Sequence, residues 1–113
     1  MKHFGLAQHH KDCLIESFKT HLTPGTVIVY GSRVQSNFTE HSDIDLVIQD
    51  TGHTDRHILA ELQDHIDESN FPYLCDIQYL DSIKNPTLRD HIAHMGQVLF
   101  HSPDHQSVKA ISK

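Results

Sequence analysis

The spacing of hydrophobic residues along the chain alternates between a helical period and a strand period. Apolar residues recur every three or four positions in three segments, which predicts amphipathic helices over residues 8–22, 54–69 and 85–96. Short β-branched or alternating runs predict strands over residues 26–30, 43–49, 73–79 and 98–100. The order is helix, strand, strand, helix, strand, helix, short strand. This order predicts an α/β (α+β) fold with a small mixed β-sheet and helices packed mainly on one face.

The predicted helices carry start and stop signals. Thr54 is a candidate N-cap for the second helix, and Asn85 followed by Pro86 is a capped start for the third helix. Gly96 ends that third helix. Its apolar stripe, which is expected to face the core rather than a partner, consists of Leu88, Ile92 and Met95.

Length and composition indicate a single domain. The chain has 113 residues, enough for one core but not for two lobes. The segment from His101 onward is polar and contains a proline, so we expect a domain over residues 1–101 and a flexible C-terminal tail over residues 102–113.

Charge and hydropathy exclude several functional classes. The formal net charge of −6 argues against a broad basic face for extended nucleic-acid binding, because phosphate neutralisation dominates that affinity. No run approaches 18 apolar residues, which argues against a membrane partner, and the first residues lack the apolar stretch of a signal peptide. We therefore expect a cytoplasmic protein, in which Cys13 and Cys75 are buried small hydrophobes.

The segment between Tyr30 and Leu46 carries the chemistry. A strand ends at Gly31, whose missing side chain lets backbone amides approach a ligand, and Ser32 and Arg33 follow with a hydroxyl and a cation suited to phosphate. Asp43 and Asp45 stand two positions apart on the next strand, so their carboxylates share a face about 6–7 Å apart.

Two carboxylates this close repel each other unless a cation lies between them. Oxygen ligands of this kind suit Mg²⁺. The alternative is that Asp43 and Asp45 are merely solvated on a half-exposed strand, although aspartate is depleted in strands.

Ten residues separate Ser32 from Asp43. The pattern of Gly-Ser-Arg at residues 31–33 and Ser-Asp-Ile-Asp-Leu at residues 42–46 closely resembles the minimal nucleotidyltransferase (MNT) domain family of the DNA polymerase beta superfamily. These small proteins are antitoxin partners of HEPN toxins. The resemblance covers residues 8–101, in element order as well as motif, and implies a polymerase-beta-like nucleotidyltransferase fold. It also implies a third carboxylate on a later strand, where this chain has Asp76.

The resemblance implies a Mg²⁺-dependent enzyme that moves a nucleoside monophosphate, AMP from ATP, to a hydroxyl of a HEPN-domain toxin. The implied metal ligands and catalytic residues, which hold two Mg²⁺ ions or Mn²⁺ in their place, are Asp43, Asp45 and Asp76. The implied nucleotide-binding residues are Gly31, Ser32, Arg33 and Ser42. The chain departs from many relatives at Gln35 and Ser36, where they carry a second basic residue and a glycine, so one phosphate contact is expected to be weaker.

Two other classes of function stay open: an antitoxin that acts by binding alone, and a nucleotide-sensing module without transfer. Glu40 and Asp81 are the next candidates for the third ligand should Asp76 be structural.

Several histidines are further candidate ligands. The spacing of His57, Glu61 and His65 could form a zinc stripe but equally fits an exposed helix face, and the same holds for His91 and His94, whereas His41 is close enough in sequence to Asp43 to touch substrate.

Overall fold

The computed structural model describes residues 4–22, 25–35, 39, 42–51, 55–69 and 71–102. The element bounds are α1 Gln8–His21, β1 Gly25–Tyr30, α2 Ser32–Gln35, β2 Ile44–Gln49, α3 Arg56–Glu68, β3 Cys75–Tyr79, a 3₁₀ turn Leu80–Ser82, α4 Pro86–Met95 and β4 Gln97–Ser102. No helix in these ranges has the length and apolar character needed to cross a bilayer.

The strands form one mixed sheet in the order β3-β2-β1-β4. β1 pairs antiparallel with both β2 and β4, whereas β2 and β3 are parallel and are joined through α3. The parallel pairing needs a crossover, which α3 provides. The predicted α/β class and mixed sheet are confirmed.

The main core lies between the sheet and the pair α1 and α3. Alternate residues of the strands point into it, and Leu46 of β2, Phe18 of α1 and Leu62 of α3 are fully buried there. The opposite sheet face is covered over part of its area by α4 and the 3₁₀ turn, where Val47, Ile83 and Ile92 form a smaller cluster. Two of the three long helices therefore share one face, and α4 lies on the other.

The helix ends follow from local capping. The side chain of Asn85 accepts hydrogen bonds from the backbone amides of Thr87 and Leu88, as its position before Pro86 predicts. The N-cap of α3 is Asp55, whose carboxylate accepts from the amide of His57. The prediction of Thr54 as that cap is wrong by one position because the helix begins at Arg56; Thr54 itself lies outside the described residues.

Three further expectations change at the chain's surface. β4 continues through His101 and Ser102, which pair with Thr26 and Gly25, so the strand includes Ser102, the first residue of the predicted tail. Residues 103–113 lie outside the described part. Met95 is 42% exposed rather than buried in the core, and it is the last residue of α4. Cys13 and Cys75 are half-buried free thiols, and burial raises the pKa of Cys75 to about 12.

Candidate functional site

The predicted carboxylates come together where β1 ends and where β2 and β3 begin. Tyr30 pairs with Asp45 across the antiparallel strands, and Asp45 pairs with Asp76 across the parallel strands. Directly paired residues point to the same side of a sheet. Tyr30, Asp45 and Asp76 therefore form a row on the α4 face, and Asp43 lies two residues before Asp45.

These groups are close enough for their charges to shift one another's pKa values. Burial, and then the charges of Asp76 and Asp43, raise the pKa of the Asp45 carboxyl above its ordinary value. Burial, Asp45 and Asp76 raise the pKa of the Tyr30 hydroxyl to about 12, and the side-chain amide of Gln78, which donates to that hydroxyl at 3.4 Å, opposes the rise. Negative charge is concentrated at this end of the sheet.

The three carboxylates differ in exposure. Asp45 is half-buried between its neighbouring strands, whereas Asp43 and Asp76 are exposed at the ends of theirs. No set of three His, Cys, Asp or Glu side chains in the described ranges converges as a ready-made metal cluster. The arrangement is an open row of carboxylates rather than a closed cage.

Gly31 fits tightly against Asp45. Its φ angle is +83°, a left-handed conformation that favours glycine, and a Cβ added there would lie 2.5 Å from the Asp45 Oδ2 atom. The glycine therefore lets the turn after β1 pass directly beside the carboxylate. Ser32 begins the short helix α2 and is half-buried next to this turn.

Arg33 lies elsewhere than expected for a phosphate ligand. Only 3% of the residue is exposed, and its guanidinium donates to the backbone carbonyls of Ser42, at 3.2 and 2.8 Å, and of Phe4, at 2.8 Å. The same group lies 4.6 Å from the ring centroid of Tyr73. The cation points into the domain and ties three segments together instead of pointing toward the row of carboxylates.

Ser42 contributes through its backbone and through a local turn. Its carbonyl receives the two Arg33 hydrogen bonds, and its hydroxyl accepts from the amide of Thr39 at 2.9 Å. These contacts hold the chain immediately before Asp43. Glu40, His41 and Ser36 lie outside the described residues.

The other candidate ligands do not gather into a site. His57 Nε2 lies 2.9 Å from a Glu61 carboxylate oxygen on the exposed side of α3, which matches the solvated-face interpretation. Asp81 lies in the 3₁₀ turn after β3 and is exposed. His94 lies on the exposed side of α4, where its Nδ1 is 2.9 Å from the carbonyl of Asp90.

Sequence reasoning considers His91 only as a metal ligand or as part of an exposed helix face, and does not predict its contact with Gly31. Its Nε2 accepts a hydrogen bond from the Gly31 amide at 3.1 Å, and its ring meets the Tyr30 ring edge-on at 6.2 Å between centroids. One signal was present: His91 precedes the buried Ile92, so it lies beside the face of α4 that packs on the sheet. The spacing of histidines alone did not single it out.

Two surface grooves lie away from this row of carboxylates. One, of about 420 Å³, lies between α3 and β3, and the other, of about 640 Å³, lies between α4, Ile28 and Gln49. Neither is lined by Asp43, Asp45 or Asp76.

Comparisons with known proteins agree with the fold and the motif. A family model described as polymerase beta, nucleotidyltransferase, matches residues 12–105. A crystal structure of a toxin–antitoxin with AMP-PNP is similar at a TM-score of 0.66 and 21% identity, over 90% of this chain and 84% of that chain. A crystal structure of a mutant MntA–HpeT toxin–antitoxin is similar at a TM-score of 0.63 and 19% identity, with the same coverage. No protein of curated function matches significantly.

The family model covers most of the chain, and the matched range includes Gly31, Asp43, Asp45 and Asp76. The two structural neighbours share the fold at low sequence identity. The chain belongs to the polymerase beta nucleotidyltransferase family.

Proposed function

We propose that this chain is the antitoxin of a HEPN/MNT pair and that it transfers AMP from ATP to a hydroxyl of its toxin partner. Membership of the nucleotidyltransferase family supports the reaction class. Similarity to toxin–antitoxin structures, one of them with AMP-PNP, supports the biological role and the adenine nucleotide. The observation that carries the proposal is the row of Tyr30, Asp45 and Asp76 beside the left-handed turn at Gly31.

The proposed metal ligands are Asp43, Asp45 and Asp76. Burial, and after it the charges of Asp76 and Asp43, raise the pKa of the Asp45 carboxyl, and the repulsive part of this effect supports the role because divalent cations that bind between carboxylates relieve their repulsion. An all-oxygen donor set with room for further ligands suits Mg²⁺ or Mn²⁺, which take their remaining ligands from water and phosphate. When bound, two such ions supply charge stabilisation at the attacking and leaving oxygens.

The proposed triphosphate site is the turn at Gly31 and Ser32. A backbone that passes this close to Asp45 brings the amide and the hydroxyl of Ser32 next to the proposed metal ligands. Arg33 and Ser42 support the site in another way. Their mutual hydrogen bonds hold the segment that leads into Asp43, so we assign both to positioning rather than to direct phosphate contact.

The proposed reaction is an in-line displacement at the α-phosphorus of ATP. The acceptor oxygen forms a new bond to that phosphorus, the bond to the bridging oxygen breaks, and pyrophosphate leaves. The acceptor hydroxyl transfers its proton to the carboxylate of Asp76, which lies on the outermost strand of the site and is exposed. The role of the chain is mainly to position the reactants and to balance charge, as in other phosphoryl transfers.

The deciding experiment labels the partner. The tagged chain is purified with the protein that accompanies it in its native cells, and the complex is incubated with Mg²⁺ and ATP radioactive at the α-phosphate. We expect label on the partner and none with Asp76→Ala, while AMP-PNP affinity stays within about tenfold, or about 1.4 kcal/mol. Asp64→Ala, on the exposed side of α3, is the matched control and should label normally.

Each rival predicts a different result in the same experiment. An antitoxin that acts by binding alone neutralises its partner without any label, even as the wild-type chain. A nucleotide-sensing module binds Mg-AMP-PNP but gives no label and needs no partner hydroxyl. Labelling that persists in Asp76→Ala would make Asp76 structural and return Glu40 and Asp81 as candidates for the third ligand.

A further inference from the structure

A side chain of α4 reaches the turn at which we place the triphosphate. The Gly31 amide donates to His91 Nε2 at 3.1 Å, across a separation of 60 residues in the chain. An imidazole nitrogen that accepts a hydrogen bond carries no proton. The neutral ring therefore holds its proton on Nδ1, which faces the side-chain amide of Gln35 at 3.4 Å. The Gln35 oxygen is the group that can accept from it once the amide is oriented accordingly.

The imidazole is itself fixed by its surroundings. Its ring lies edge-on to Tyr30, and the next residue, Ile92, is buried against the sheet and anchors this turn of α4. Asn85 caps the helix at its start. The imidazole of His91 is therefore held in a fixed position over the end of β1.

Gly31 is held from two sides. The Asp45 carboxylate occupies the space where a side chain would be, and His91 binds the amide. The φ angle of +83° leaves the turn at Gly31 few alternative conformations. The orientation of this turn in its place sets where the following residue, Ser32, begins α2. The hydrogen bond from α4 and the Asp45 carboxylate thus hold the turn together in one orientation.

We propose that His91 is a positioning residue for the nucleotide site, which holds the Gly31 turn in the orientation that presents Ser32 to the triphosphate. The inference rests on the proposed function and adds a residue that the family motif does not contain. It also has a chemical consequence: the Gly31 amide is occupied by the imidazole, so phosphate binding falls to Ser32 and not to the Gly31 N–H.

The first measurement tests the contact without any ligand. Amide hydrogen exchange in the apo protein should show a protected Gly31 N–H. His91→Phe keeps the ring bulk but removes the acceptor, so this protection should fall by at least about tenfold, whereas His91→Gln places an oxygen near the former Nε2 and should keep it. His94→Phe, on the exposed side of the same helix, is the control. Equal protection in wild type and His91→Phe would overturn the proposal.

The second measurement tests the role in binding. In calorimetric titrations with Mg-AMP-PNP we expect His91→Phe to bind about tenfold more weakly, and His91→Gln and His94→Phe to bind within about twofold of wild type. If His91→Phe does not fold, His91→Asn, which is too short to reach the amide, replaces it. A purely structural histidine would lower stability in both the Phe and Gln variants without this rescue of affinity.

The failures of the two proposals are distinguishable. Wild-type binding with equal affinity in His91→Phe overturns the positioning role and leaves the proposed function intact. Absence of Mg-AMP-PNP binding by the wild-type chain overturns the nucleotide site, and with it the role of His91 there.

Discussion

The two faces of the sheet are built from the same strands but serve different purposes. On the α1 and α3 face, Ile44, Leu46 and Ile48 are almost completely excluded from water. One residue along the same strand, Asp45 points to the other face, where its carboxylate meets Asp76 and Tyr30. Neighbouring residues of β2 thus experience opposite environments.

The difference arises from how much of each face the helices cover. α1 and α3 together seal their face, whereas α4 covers its face only around Val47 and Ile92 and leaves the carboxylate end open. Apolar burial on the first face stabilises the fold. On the second face, the burial of the Asp45 carboxylate and its repulsion by neighbouring carboxylates act against stability. Substitutions on the two faces should therefore affect different properties, which four experiments test.

The largest effect is expected for Asp45→Asn. The change keeps shape but removes the charge of a proposed metal ligand, so the proposed AMP transfer should fall by about a thousandfold or more, equivalent to about 4 kcal/mol of transition-state stabilisation. Transfer of α-labelled phosphate measures it, with Asp64→Asn as the matched exposed carboxylate. Labelling near the wild-type rate would mean that the open face is not the catalytic face.

Leu46→Ala should have the opposite profile. Leu46 is fully buried, so the substitution leaves a cavity and should lower the free energy of unfolding by about 3 kcal/mol in urea denaturation. Under conditions where the variant is folded, Mg-AMP-PNP affinity should match wild type. Val98→Ala, an apolar residue that is 62% exposed on β4, should change stability by less than about 0.5 kcal/mol.

Arg33→Lys distinguishes a structural cation from a phosphate ligand. Lysine keeps the charge but cannot make the paired bonds to the Ser42 and Phe4 carbonyls, so stability should fall by about 2 kcal/mol. Nucleotide affinity measured on the folded variant should change less than stability does. Unchanged stability with much weaker Mg-AMP-PNP binding would restore Arg33 as a phosphate contact.

The smallest effect concerns pH. Because the folded chain raises the pKa of the Asp45 carboxyl, it holds that proton more tightly than the unfolded chain does. The stabilisation from this proton is present below the ordinary aspartate pKa and is lost as pH rises through the raised value. In a metal-free buffer, Asp45→Asn should therefore raise the melting temperature by a few degrees at pH 7, and the gain should shrink toward pH 4.

A melting temperature that is equal for both chains at pH 7 would argue against a destabilising effect of the Asp45 charge, whether from burial or from repulsion. Adding Mg²⁺ gives a second check on it. The ions should stabilise the wild-type chain more than Asp45→Asn at pH 7, because ligands that bind only the folded state stabilise it by mass action.

Much of the fold could be predicted because strand and helix periods are local properties. Alternation in β2 told which residues share a face, and the Asn85–Pro86 pair predicted the start of α4. The class of fold and the family are confirmed. The observed ends of several elements differ from the predicted ones by one or two residues; β3, for example, begins at Cys75 rather than at Tyr73.

The parts that were not predicted depend on contacts between distant segments. Arg33 follows a phosphate-binding motif in sequence, but its long side chain turns inward because carbonyls of Phe4 and Ser42 lie within reach there. In the sequence His91 is one of many histidines, and its contact with Gly31 exists only because α4 packs on the sheet beside that turn. Local spacing predicts a face, but it does not tell which distant group a long side chain will meet.

The parallel pairing of β2 with β3 has a consequence for how the chain becomes competent during folding. β1 and β2 can associate early as neighbours in sequence, bringing Tyr30 beside Asp45. Asp76 arrives only after the long crossover through α3, and His91 later still, and such high-contact-order pairings are slow because chain entropy is lost before the contacts form. An incompletely folded or newly synthesised chain would thus hold a partial set of acidic groups and no fixed glycine turn. The proposed nucleotide binding would then require that the last strand and helix have docked. The appearance of Mg-AMP-PNP binding during refolding should therefore lag behind the formation of secondary structure.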